Sequence, residues 1–165
     1  MIFTISNHQQ PIYMSTTLAH ILSIKGPQFN VIDKNASVKE ALQLMTAENL
    51  SYLIIRDREN FVGIISERDY ARKVVLQDKA SISTKVTEIM SQNLPVLDAN
   101  DTPDKCMKML EFFKSRYALV YQEFVFIGVI TVSDMVRYVL KQNNANALHH
   151  HAAAVSNGHQ TNAFA

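Results

Sequence analysis

The stretch Phe61-Val62-Gly63-Ile64-Ile65-Ser66-Glu67-Arg68-Asp69 returns as Phe126-Ile127-Gly128-Val129-Ile130-Thr131-Val132-Ser133-Asp134, displaced by 65 positions. Each copy reads as an apolar strand that hands over to a helix. The junction is Ser or Thr followed three residues later by Asp, an acidic form of the helix capping box. Outward in the same register, Val31, Asp33, Asn35, Tyr52, Arg72 and Val74 recur as Val96, Asp98, Asn100, Tyr117, Arg137 and Val139. A register held this long marks a duplicated unit of about 60 residues, and two copies are too few for a solenoid. A pseudo-symmetric pair follows.

Within the first copy, Ser37 and Glu40 form a capping box ahead of Val38, Ala41, Leu42 and Met45 at helical spacing, which predicts a helix over 38–48. Two apolar runs, 52–55 and 61–65, flank a polar turn and predict a buried hairpin. A second helix is expected over 67–76. With a short extended stretch at Asn30-Val31-Ile32, the unit is β-α-β-β-α. The second copy repeats it with Thr102 as cap and Pro103 at the first helical position. Cys106, Met107, Leu110 and Phe113 make its buried stripe, strands follow at 117–121 and 125–130, and a last helix spans 132–141. The fold class is therefore α/β (α+β). The expected organisation is an N-terminal extension over 1–16, with Met14 an alternative start, repeats over 17–76 and 86–142, a polar linker at 77–85 and a mobile tail over 143–165. Leu18–Leu22 and Val86–Met90 resemble each other as lead-in helices.

Composition narrows the function. Sixteen basic and fifteen acidic side chains give a net charge of +1, so no global field marks a nucleic-acid or membrane binder. No apolar run approaches the roughly 20 residues of a membrane span. One cysteine, Cys106, excludes an intrachain disulfide and the common zinc sites, which fits a reducing cytoplasmic setting. No GxxxxGK(S/T), HExxH, GxSxG or CxxC pattern occurs. Cys106 on an apolar stripe reads as an inert thiol, and His149-His150-His151, which could hold a metal ion weakly, reads as solvated because of its flexible setting. Catalytic and metal-ligating residues are expected to be none.

The duplicated motif allows two readings. Ser66–Asp69 and Thr131–Asp134 serve as caps. The added glycine, Gly63 or Gly128, lets a ring or backbone approach closely, and a carboxylate at a helix start can accept two hydrogen bonds from a vicinal diol such as a ribose.

These residues, with the doubled β-α-β-β-α order and the stretch Ser66-Glu67-Arg68-Asp69-Tyr70-Ala71-Arg72-Lys73-Val74, resemble the cystathionine-β-synthase (CBS) domain family. The pair resembles a Bateman module of the small stand-alone bacterial type, over about residues 17–141. The resemblance implies two domains packed through their sheets about a pseudo-twofold axis, with adenosine-containing ligands (AMP, ADP, ATP or NAD) as regulatory ligands in two clefts. It places Val31, Ile32, Tyr52, Ile64, Ser66, Arg68 and Asp69 in the first cleft, with Val31 and Ile32, like Val96 and Leu97 in the second, offering backbone groups to the adenine edge. Val96, Leu97, Arg116, Tyr117, Val129, Thr131, Ser133 and Asp134 belong to the second. The two Asp would hold ribose hydroxyls, and Arg68, which faces Ser133 in the repeat, would favour phosphate-rich ligands in the first cleft. A homodimer is implied, and Leu18, Ile21, Val74, Val75, Val136 and Leu140 are the apolar residues expected to need covering.

The reading reached is a non-catalytic regulatory module sensing adenosine-containing ligands. Its rivals are a ligand-free dimerising scaffold for an unknown protein target and, more remotely, a metal-dependent nucleotide hydrolase.

Overall fold

The computed structural model describes residues 16–26 and 30–157. Helix α1 (Leu18–Lys25) precedes strand β1 (Val31–Asp33), helix α2 (Val38–Ala47), the hairpin β2 (Tyr52–Asp57) and β3 (Asn60–Ser66), and α3 (Glu67–Lys73). Helix α4 (Val86–Ile89) opens the second half, followed by β4 (Val96–Asp98), α5 (Pro103–Phe112), β5 (Tyr117–Gln122), β6 (Val125–Thr131) and α6 (Val132–Asn157). Each half holds a three-stranded sheet, β1-β2-β3 and β4-β5-β6, with the first pair parallel and the second antiparallel. The duplication extends to irregularities: the hairpins are bulged between Ile55 and Arg56 and between Val120 and Tyr121. Asn49 and Lys114, at φ 51° and 49°, close α2 and α5 so that the amides of Leu50 and Ser115 reach the carbonyls of Met45 and Leu110.

The sheets meet face to face through Tyr52, Ile54, Ile64, Leu119 and Val129, with Phe61, Tyr117 and Phe126 at the margin. Tyr52 packs on Tyr117 at 4.8 Å between ring centroids, and Phe61 on Phe126 at 4.7 Å, both with tilted rings. Repeat-equivalent residues touch one another where a twofold axis runs between them. The expected pseudo-twofold pair is present.

Each lead-in helix serves the opposite repeat. Leu18 and Ile21 of α1 are buried with Leu97, Ala99, Cys106, Leu110 and Met135 of the second half, and the amides of Leu18 and Ala19 donate to the carbonyls of Asp101 and Ala99. Conversely, Val86 and Ile89 of α4 are buried with Val38, Ala41 and Leu53 of the first half, and the Val86 amide donates to Ala36 O at 2.9 Å. The two repeats are thereby interlocked within one chain.

Four expectations change. The helix expected over 67–76 stops at Lys73 and tightens into a 3-10 turn, Val75–Gln77, ended by Asp78 in the left-handed region at φ 51°. The last helix does not end near 141. It continues through Asn157, because the Asn, Ala, Leu and His that follow include neither Gly nor Pro before Gly158. Residues 158–165, like the 1–15 portion of the N-terminal extension, lie outside the described residues. On α5, Cys106 and Leu110 are buried, but Met107 and Phe113 are exposed. Finally, Leu18, Ile21 and Val74 are covered by the chain's own packing, which leaves only Val75, Val136 and Leu140 of the six apolar residues exposed.

Candidate functional site

The two capping segments emerge at the junction of the halves, where two cavities open. The larger, about 960 Å³, is walled by Tyr52, Ser66, Glu67 and Arg68 from the first half and by Arg116, Tyr117, Thr131, Ser133, Asp134 and Arg137 from the second, with Lys25 and Asn30 completing it. The smaller, about 230 Å³, is bordered by Asp69, Arg72, Lys73, Ser91 and Lys114. Ser66, Arg68, Arg116 and Tyr117 border both. Small-molecule sites run from roughly 300 to 1,000 Å³, which admits the first cavity and leaves the second below the range.

Both capping boxes form. The Ser66 amide and hydroxyl donate to Asp69 Oδ2 at 3.0 and 2.6 Å, and the Thr131 amide and hydroxyl donate to Asp134 Oδ2 at 2.9 Å each. Beyond the caps the repeats diverge. Asp69 Oδ1 accepts from Lys73 Nζ and Ser91 Oγ, both at 2.8 Å, and Lys73 also donates to Ile89 O at 2.6 Å. With two donors on each oxygen, this buried carboxylate is fully engaged by its own chain. Lys73, which belongs by spacing to a solvated helix face, instead ties α3 to the end of α4.

Asp134 is equally buried but less engaged at one oxygen. Lys25 Nζ donates to Oδ2 at 2.8 Å, whereas the nearest cation to Oδ1 is Arg137 Nη1 at 3.7 Å. The larger cavity holds Lys25, Arg68, Arg116 and Arg137 against Glu67 and Asp134, an excess of positive charge suited to an anion. Arg68 and Arg116 make no ion pair among the described residues. Burial raises the Tyr117 hydroxyl above its usual range against the opposing effects of Arg116, Ser51 and Ser66, so at neutral pH it stays protonated and offers a neutral donor.

The structure brings together Tyr52, Ser66, Arg68, Arg116, Tyr117, Thr131, Ser133 and Asp134 on the larger cavity and Asp69 on the smaller. The remaining expected residues line neither. Ile64 and Val129 are consumed by the contact between sheets, Leu97 by the core under α1, while Val31 and Ile32 pack at the edges of two cores and Val96 faces solvent. For Ile64 and Val129 the cause is the period of two, since along each strand alternate side chains are taken by the sheet contact and the helix layer; Val31, Ile32, Val96 and Leu97 are expected to act through backbone groups, on which side-chain burial does not bear. Nor does Arg68 belong to one cleft alone, because it stands on the wall between the cavities. Lys25, Asn30 and Ser91 escaped sequence reading. They lie outside the duplicated motif, and only the exchange of lead-in segments carries Lys25 to Asp134.

Gly63 has its close approach, but to the chain itself. A Cβ there would stand 2.8 Å from Met90 Sδ and 3.2 Å from Ser91 O, where Ile64 and Ser91 exchange backbone hydrogen bonds.

A family model described as the CBS domain matches residues 23–76 and again 86–141. The solved structure of a CBS-domain protein from Burkholderia ambifaria superposes with a TM-score of 0.71 at 34% identity, over 76% of this chain and 95% of the other. The mitochondrial CBS domain-containing protein CBSX3 of Arabidopsis thaliana is 28% identical over 142 residues, covering 79% of this chain and 68% of its own. A structure of CBSX2 in complex with AMP shares the fold, with a TM-score of 0.57 at 21% identity over 68% of this chain and 88% of the other.

Proposed function

We propose that this chain, which belongs to the CBS-domain family as a tandem pair, a regulatory module, senses an adenosine phosphate or NAD in the larger of the two cavities at the junction of its halves. The observation that carries this reading is the pairing of a buried, partly engaged carboxylate, Asp134, with two unpaired arginines, Arg68 and Arg116, in one 960 Å³ space. A carboxylate at a helix start takes a ribose diol, and the guanidinium groups take phosphates. Tyr52 and Tyr117 offer aromatic surface to the base. The AMP held by the related CBSX2 supports the same ligand class.

Walls from both halves give occupancy a mechanical meaning. A ligand that touches Arg68 and Asp134 at once favours one spacing of the halves over others, and only such differential affinity shifts a conformational equilibrium. The smaller cavity plays the structural part: Asp69 is fully engaged, so one ligand binds per chain. The module works without catalysis, in the cytoplasm, as a homodimer joined across the apolar groove of Met107, Leu110, Val136, Val139 and Leu140 between α5 and α6.

Calorimetric and melting titrations with AMP, ADP, ATP and NAD test the reading. At one hundred times the dissociation constant, the ligand adds about 2.7 kcal/mol to the native state, seen as a raised melting temperature. Asp134→Ala abolishes this response. Asp69→Ala lowers the melting temperature of the free chain and leaves the stoichiometry at one. Absence of both heat and melting shift for all four compounds transfers the assignment to a ligand-free scaffold. Light scattering gives twice the 18.7 kDa chain mass for the dimer; a monomer mass refutes it.

A further inference from the structure

Lys25 extends from α1 into the larger cavity beside the carboxylate assigned to the ribose. Its Nζ donates to Asp134 Oδ2 at 2.8 Å, to Val129 O at 2.9 Å and to the Tyr52 hydroxyl at 3.3 Å, which engages all three of its hydrogens. Oδ2 therefore carries three donors, two from Thr131 and one from Lys25. A vicinal diol gives one hydroxyl to each carboxylate oxygen, so it meets Oδ2 already crowded. The Thr131 donors belong to the cap of α6 and leave only if its first turn opens. Lys25 is the donor carried on a flexible stem.

We propose that Lys25 is the charge selector of this cavity: it is the shielded counter-ion at Asp134 Oδ2, yields that oxygen to the sugar diol, and takes a ligand phosphate as its new anion. The inference rests on the adenine-nucleotide reading and adds to it a preference for nucleotide over nucleoside. The reason is electrostatic. The Lys25 side chain is 21% exposed and Asp134 is 7% exposed; a shielded cation that loses its carboxylate requires another anion. A phosphate supplies one through a charge-assisted hydrogen bond, whereas adenosine supplies none. Lysine suits the exchange, being a compact charge on a long, rotatable stem. Arg68 and Arg116 attract phosphate without this coupling, since neither has a carboxylate to give up. Arg137, 3.7 Å from Asp134 Oδ1, is 64% exposed and stays solvated without that carboxylate, so Lys25 is the shielded cation that needs a replacement anion.

Calorimetric titration of the full chain with AMP and with adenosine decides the matter, using wild type, Lys25→Met and Lys25→Arg. Wild type is expected to bind AMP more tightly than adenosine by about tenfold or more, the size of one charge-assisted contact. Lys25→Met is expected to weaken AMP by about tenfold while adenosine binding holds or strengthens, so that the preference collapses. Lys25→Arg retains it. Should Lys25→Met lower the melting temperature of the free chain, Lys25→Gln, which keeps donors at this position without the charge, gives the same comparison. Equal weakening of AMP and adenosine, or no change in either, makes Lys25 only an anchor for α1 and overturns the proposal. A wild-type chain that binds neither compound refutes the adenine-nucleotide reading itself, and the selector role falls with it.

Discussion

Cys106 shows how a single residue's setting decides its chemistry. Its side chain is fully buried in the core beneath α1, and burial first, then the negative charges of Asp101 and Asp134, raise the thiol from 9.0 to about 11. A thiol that resists ionisation is a poor nucleophile, so the native chain is expected to resist iodoacetamide at pH 8 and to react promptly once unfolded in guanidinium. Fast native alkylation at that pH overturns this. The sign of the linkage follows from the raised value. The folded chain holds the proton more tightly than the unfolded one, so the contribution to stability is complete below about pH 9 and is lost as pH rises towards 11. Tyr117, raised in the same direction by burial, adds to the alkaline loss. Denaturant midpoints measured across this interval are expected to fall.

At the scale of elements, the strand-to-helix junction does two jobs at once. The cap that starts α3 consumes Ser66 and one oxygen of Asp69, while Lys73 and Ser91 consume the other and fasten α3 to the end of α4. Gly63 permits that fastening, since Met90 and Ser91 lie against the space where its Cβ would be. Met90 has a flexible side chain that can yield, but the Ser91 carbonyl at 3.2 Å belongs to a backbone held by two hydrogen bonds to Ile64. Gly63→Ala is therefore expected to cost about 1–3 kcal/mol, the usual penalty of overpacking. Urea unfolding checks it, and a cost below roughly 0.5 kcal/mol, within the range of neutral surface changes, shows that the segment simply moves aside.

For the whole molecule, the exchange of lead-in helices makes the two halves one cooperative unit. Leu18 has no exposed surface and fills the core of the half it does not precede in sequence. Leu18→Ala is expected to destabilise by about 2–5 kcal/mol. Hydrogen exchange should show the lost protection first in β4, α5 and β5, not in β1 and β2. Loss confined to the first half contradicts the exchange. The larger cavity depends on the same arrangement, for Lys25 reaches Asp134 only because α1 lies on the second half.

Much of this protein was legible from local pattern. The repeat displaced by 65 positions carries the β-α-β-β-α order, the caps at Ser37, Ser66, Thr102 and Thr131, and the pairing of the halves, because capping chemistry and strand periodicity act over a few residues and were duplicated with them. The duplicated junction marked Ser66, Thr131 and Asp134, and the family resemblance placed Arg68, Arg116 and Tyr117 beside them; all six reach the larger cavity. Tertiary structure decided the rest. Ile64 and Val129 match their neighbours in pattern, yet the sheet contact claims them. Asp69 and Asp134 occupy equivalent places in the repeat, yet one is closed by Lys73 and Ser91 and the other is left to Lys25. Lys73 is a local difference, four residues from Asp69 where the second repeat has Tyr138, but motif symmetry is a property of short stretches of chain, whereas Ser91 and Lys25 reach the two carboxylates from 22 and 109 residues away, placed there by how the helices pack.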